Sequence, residues 1–184
     1  MFLMPIEDVF RRNQARRTLL TGCITRGQVA PGDELEVVGF GTRTTVTVAA
    51  IEAHRRGLAE AHEGMNVGLS MHGVAADAAV RGQVLAAPGS IREHTRFAAD
   101  ITLLSEEQGA TTLHTGSRLQ FHIGTAVVTG TITLTGSTDA LHPLHTGPAT
   151  ITLAHPVPLE PAQPFAFRHG ARAAGSATVT HLPT

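Results

Sequence analysis

No stretch of this chain sustains a helical period. Short β-branched and aliphatic runs are cut every few residues by Gly, Pro and Asn, and a chain punctuated in this way folds as short strands joined by tight turns. The pattern is clearest between Gly64 and Gly89. A short run (Val67, Gly68, Leu69) follows Asn66, a turn-rich link begins beyond it, a second run (Val84, Leu85, Ala86) follows Arg81, and Pro88-Gly89 closes the stretch. Further strands are expected at 18–24, 34–38, 42–51, 95–104, 117–123, 126–134, 149–154, 165–168 and 177–181. In the fourth of these, Phe97, Ala99, Ile101 and Leu103 share one face. Glu7-Asp8-Val9-Phe10 should lead into the first strand, and the Arg-rich 11–17 reads as an exposed loop. Residues 55–63 and 75–80, the latter with Asp77, have room for one helical turn each. Many short strands at this spacing indicate an all-β chain of two tandem small β-barrels. The best boundary is Pro88-Gly89-Ser90, which gives domains of 1–90 and 91–184.

Composition mainly excludes. The 184 residues carry a formal net charge of -1, too small to hold a polyanion by bulk charge. All 14 cationic side chains are Arg and none is Lys, so a phosphate-cradling Gly-x-x-x-x-Gly-Lys-Ser/Thr loop cannot form. The chain should not hydrolyse GTP by itself. The single Cys23 rules out an intrachain disulfide. The apolar start, Met1 to Pro5, is too short for a signal segment, and no run approaches a membrane span. Both absences point to a soluble, cytoplasmic protein. The 11 His are scattered without metal-ligand spacing, and no Ser sits in a nucleophile elbow. Neither a metal, nor another cofactor, nor a catalytic residue is expected. Arg11, Arg12, Arg16 and Arg17 form a local basic cluster, either a solvated face or a phosphate-contacting one.

Residues 5–10, 21–32, 66–69 and 81–95, and more thinly 104–107, 121–134 and 164–175, carry a resemblance to a known family. The chain resembles the second and third domains of elongation factor Tu, without the nucleotide-binding domain. The resemblance implies one β-barrel that holds the aminoacylated 3′ end of tRNA, and a second that touches the T stem and an exchange factor. It places Glu7, Asp8, Phe10 and Thr21 around the aminoacyl pocket. Glu52 matches the acidic residue that packs on the terminal adenosine, and His54 stands at a side wall. Arg55 and Asn66 lie at the amino-acid end, and Arg81 matches an Arg on the 5′ phosphate. Acidic and amide groups suit an α-amino group, and Arg suits phosphate. Glu7, Asp8 and Phe10 could equally serve only to shape the barrel.

The chain also departs from the family. The 11–17 loop is one residue longer, and Ala15 and Arg17 replace the Gly residues of a Gly-Arg-Gly turn. Gly170-Ala171-Arg172-Ala173 replaces Gly-Gly-Arg-Thr, and residues 108–113 replace a Gly-Gly-Arg-His-Thr-Pro loop. The segment His122-Ile123-Gly124-Thr125-Ala126 is similar to selenocysteine-specific relatives. Two functions are therefore open. One is a translation module that reads the charged end of aminoacyl-tRNA. The other is a module that docks on a separate GTPase or a ribosome-associated protein and has no tRNA role. Neither involves a membrane or DNA.

Overall fold

The computed structural model describes residues 1–12, 17–72, 76, 78–137 and 139–184, which form two compact units, Met1–Glu93 and His94–Thr184. In the first, the described strands are β1 (Leu3–Pro5), β2 (Asp8–Arg12), β3 (Arg17–Cys23), β4 (Gln28–Val29), β5 (Glu34–Gly39), β6 (Thr42–Ala53), β7 (Arg56–Leu58), β8 (Ala61–His62), β9 (Asn66–His72) and β10 (Val84–Ala86). The main sheet runs β1-β10-β5-β6-β9-β3-β2, with β7 on β6. Its two terminal strands are consecutive in the chain, separated only by Ile6 and Glu7. Ile6 donates its N–H to the carbonyl of Gln83 (2.9 Å), beside β10, and Glu7 donates to that of Thr21 (2.8 Å), in β3. Neighbouring residues thus bond towards opposite sides of the sheet, and the backbone itself bridges its two terminal strands. Gly22 makes this approach possible. A Cβ there would lie 2.2 Å from the Pro5 carbonyl oxygen.

The interior follows from alternation. Met4, Ile6, Leu20, Leu69, Met71 and Leu85 are fully buried and pack with Ile24, Ile51 and Val48. Thr18 and Gln83 are polar side chains buried in this unit. Gln83 is 4% exposed; its amide nitrogen donates to Gly39 O (3.0 Å) and Thr42 Oγ1 (2.7 Å), and its oxygen accepts from the Val80 N–H (2.8 Å). It ties the end of β5 to the turn before β10.

In the second unit, β11 (Arg92–Leu103), β13 (Arg118–Ile123), β14 (Ala126–Leu134), β16 (Thr146–Leu159), β17 (Pro164–His169) and β18 (Arg172–His181) close into a barrel ordered β11-β16-β14-β13-β17-β18, with a small ladder of β12 (Leu113–His114) on β15 (Ala140–Leu141). Phe97, Phe121, Phe165 and Phe167 fill it. Edge-to-face contacts join Phe165 to Phe97 (5.7 Å) and to Phe121 (6.1 Å), the arrangement that ring quadrupoles favour.

The all-β, double-barrel expectation holds, and the alternating face of Phe97, Ala99, Ile101 and Leu103 is buried throughout. Several local expectations need correction. A strand, β1, precedes Glu7-Asp8, because the apolar start belongs to the core. Residues 55–63 form no helical turn: Arg56–Leu58 pairs back on β6, and Ala61–His62 pairs with β4. Arg11, Arg12 and Arg17 are strand residues, since β-pairing extends past the apolar run into the basic one. The remainder of that cluster, including Arg16, lies outside the described residues, as do Ala75 and Asp77 of the second expected turn. The strand expected at 149–154 runs on to Leu159.

Replacing Gln83 with Leu removes its bonds to the Gly39 carbonyl, Thr42 Oγ1 and the Val80 N–H, and leaves the Gly39 carbonyl only its bond from Thr42 Oγ1 (2.8 Å). We expect a loss of about 2 kcal/mol, read as a lower urea midpoint at unchanged m-value.

Candidate functional site

Four adjacent strands, β2, β3, β9 and β6, build the site on the outer face of the first unit. In β3, Leu20 and Gly22 point inward, so Leu19, Thr21 and Cys23 point outward. The register then aligns an outer row across all four strands: Asp8 opposite Thr21, Thr21 opposite Gly68, and Gly68 opposite Glu52. Asn66 is opposite Cys23, two residues along the same face. Gly68 makes the row concave. A Cβ at this position would lie 2.9 Å from Leu19 Cδ1 and 3.4 Å from Glu52 Cγ. With no side chain there, Leu19 leans over β9 and forms an apolar floor.

One end of the groove is set by a strained turn. β6 ends at Ala53 and β7 begins at Arg56, paired with each other, so His54 and Arg55 alone make the hairpin loop. Both have positive φ, 51° and 65°, as a type I′ turn requires. Asn-Gly meets that requirement at little cost, whereas His and Arg do not. The turn holds both side chains at the rim, exposed.

The resulting groove, about 360 Å³ and open to solvent, is lined by Glu7, Leu19, Thr21, Gly22, Glu52, Ala53, His54, Arg55, Asn66, Val67 and Gly68. Six of the nine residues singled out from the sequence (Glu7, Thr21, Glu52, His54, Arg55 and Asn66) meet here. The other three lie beside it. The Asp8 carbonyl accepts a bond from Thr21 Oγ1 (3.4 Å), and Arg81 Nη1 donates to the Glu7 carbonyl (2.9 Å). Phe10, 53% exposed, stands opposite Leu19. Sequence reasoning missed the floor, Leu19 and Gly68, which alternation along β3 and the isolated Gly in β9 could have indicated. It also missed Arg12, whose Nη2 lies 3.6 Å from Glu52 Oε1. The side chains can accept from an amine at Glu7 and Glu52, donate and accept at Asn66 and Thr21, and stack or donate at His54 and Arg55.

Two family models match the chain: Elongation factor Tu domain 2 over residues 17–86, and Elongation factor Tu C-terminal domain over residues 90–182. The chain belongs to the elongation factor Tu family. It is a translation elongation factor-like module made of the family's two β domains. The domain 2 match spans β3 to β10 and so contains the groove apart from Glu7. No described helix is long and apolar enough to cross a membrane.

Changing His54→Asn together with Arg55→Gly relieves two left-handed residues. We expect stability to rise by about 1 kcal/mol, seen as a higher thermal midpoint, and binding in the groove to weaken.

Proposed function

We propose that the first barrel binds the aminoacylated 3′ end of tRNA, and that the chain has no GTPase activity of its own. The observation that carries this reading is the convergence of Glu7, Thr21, Glu52, His54, Arg55 and Asn66 on one groove of a domain 2-type barrel. A charged tRNA end differs from an uncharged one by an α-amino group and an ester. Carboxylates at Glu7 and Glu52, both half-buried, and the exposed amide of Asn66 supply acceptors for that amine, and a half-buried acceptor discriminates against a ligand lacking the donor. The apolar floor formed by Leu19 over Gly68 suits the flat faces of a terminal nucleoside. Arg81, held on the Glu7 carbonyl, stands beside the groove where a phosphate could meet it. Hydrolysis of GTP needs a phosphate-cradling lysine loop, and no Lys exists in the sequence.

Labelled aminoacyl-tRNA should bind more tightly than the same tRNA deacylated. Asn66→Ala should abolish the preference while leaving the fold intact by circular dichroism. Equal binding of the two forms, or no binding at high protein concentration, overturns the reading and leaves docking on a separate GTPase as the function to test.

A further inference from the structure

We propose that Arg12 is a phosphate-binding residue of this groove, held in readiness by Glu52 and transferred to the nucleic acid when the 3′ end enters. The inference rests on the tRNA-end reading and adds to it a residue and a step.

Three observations support it. First, the pair spans the face. Arg12 is on β2 and Glu52 on β6, with β3 and β9 between them. Strands lie roughly 4.8 Å apart, so three steps come to about 14 Å sideways, and Arg12, opposite Arg17 and not in the row of Glu52, reaches it on a diagonal. The register places both side chains on the outer face, so they can meet only by lying across β3 and β9, beside the groove floor. Second, the pair is easily broken. The side chains are 60% and 38% exposed, and an ion pair this wet contributes little to stability. An entering ligand can therefore separate it, which frees the Glu52 carboxylate for the ligand and releases a guanidinium at the groove. Third, the charge favours it. Among the lining residues, the carboxylates of Glu7 and Glu52 outnumber the guanidinium of Arg55 by one, and Arg81 on the Glu7 carbonyl only balances that count. A phosphodiester end adds negative charge that a further cation can meet. Among the described residues Arg12 is the cation paired with a lining carboxylate, and its planar fork matches two phosphate oxygens.

Neighbouring contacts hold the strand that presents it. Arg11 Nη2 donates to the Ala79 carbonyl (3.4 Å), and Arg81 holds the Glu7 carbonyl. Both ends of the segment 7–12 are thus fixed to the barrel, while the Arg12 side chain is free to exchange partners.

The test measures the salt dependence of binding for the whole chain, with aminoacyl-tRNA and deacylated tRNA as probes. Removing one phosphate contact on a single strand should flatten the plot of log K against log salt by about 0.7. Arg12→Ala should bind about tenfold more weakly at low salt, converge with the unaltered protein at high salt, keep its thermal midpoint, and keep the preference for the charged form. Arg12→Lys should restore the slope, because it restores the charge. If Arg12→Ala binds as well or better with the slope unchanged, while the unaltered protein still prefers charged tRNA, this proposal is overturned and the tRNA-end reading stands. If Arg12→Lys behaves as Arg12→Ala, charge is not the cause and the proposal fails. If the unaltered protein does not distinguish the two tRNAs, both fail together.

Discussion

The first barrel depends on the seam at Ile6 and Glu7. A curved sheet with free edges exposes unpaired backbone groups, and the two bonds made at this seam satisfy part of them. Here closure needs no ladder between the terminal strands. The backbone passes from one end of the sheet to the other within two residues, and each donates its N–H to a different end. The rest of the unit accommodates this crossing. Gly22 lets Pro5 approach, Gln83 ties the turn beside the seam to the β5–β6 hairpin, and the guanidinium of Arg81 covers the Glu7 carbonyl. The groove sits beside the seam, which is why Glu7, a residue of the crossing, lines it together with residues from β3, β6 and β9.

The groove results from what the outer face omits. Most outer positions of a small barrel carry side chains that stand up from the sheet. At Gly68 there is none, so Leu19 tilts over the vacancy and Thr21 and Glu52 flank a hollow. The rim is built at a cost to stability: two bulky residues occupy left-handed conformations in the β6–β7 turn. A position that favours Asn-Gly but carries His-Arg holds those two side chains out at the rim at a cost in backbone strain. The same face mixes acidic, amide and cationic groups in near balance. The small net charge of the chain therefore conceals a local distribution that suits a ligand carrying both an amine and phosphates.

Much of this architecture was legible in the sequence. Period-two alternation at Phe97 to Leu103 and the Gly and Pro punctuation gave the strand content and the double barrel. A phosphate loop was excluded by the absence of Lys alone. Two of the errors share one physical cause. Residues 55–63 looked like a helical turn, and Arg11, Arg12 and Arg17 like part of a loop, because local polarity was high. Their conformation is instead set by partners far along the chain: β6 and β4 for the first, and the continued β2–β3 ladder for Arg11, Arg12 and Arg17. Local composition cannot report a partner supplied at long range.

The sequence by itself determined the class of fold and the identities of the groups available to a ligand, because alternation, turn residues and side-chain chemistry are local properties. Only the tertiary structure decided which of those groups meet. Cross-strand register set the row from Asp8 to Glu52 and let Gly68 open it. Closure at the seam brought Glu7 to the same place. The lateral spacing of four strands laid Arg12 across the face to Glu52. Each of these is a relation between residues distant in the chain, fixed when backbone hydrogen bonds choose one register, and no single segment encodes it.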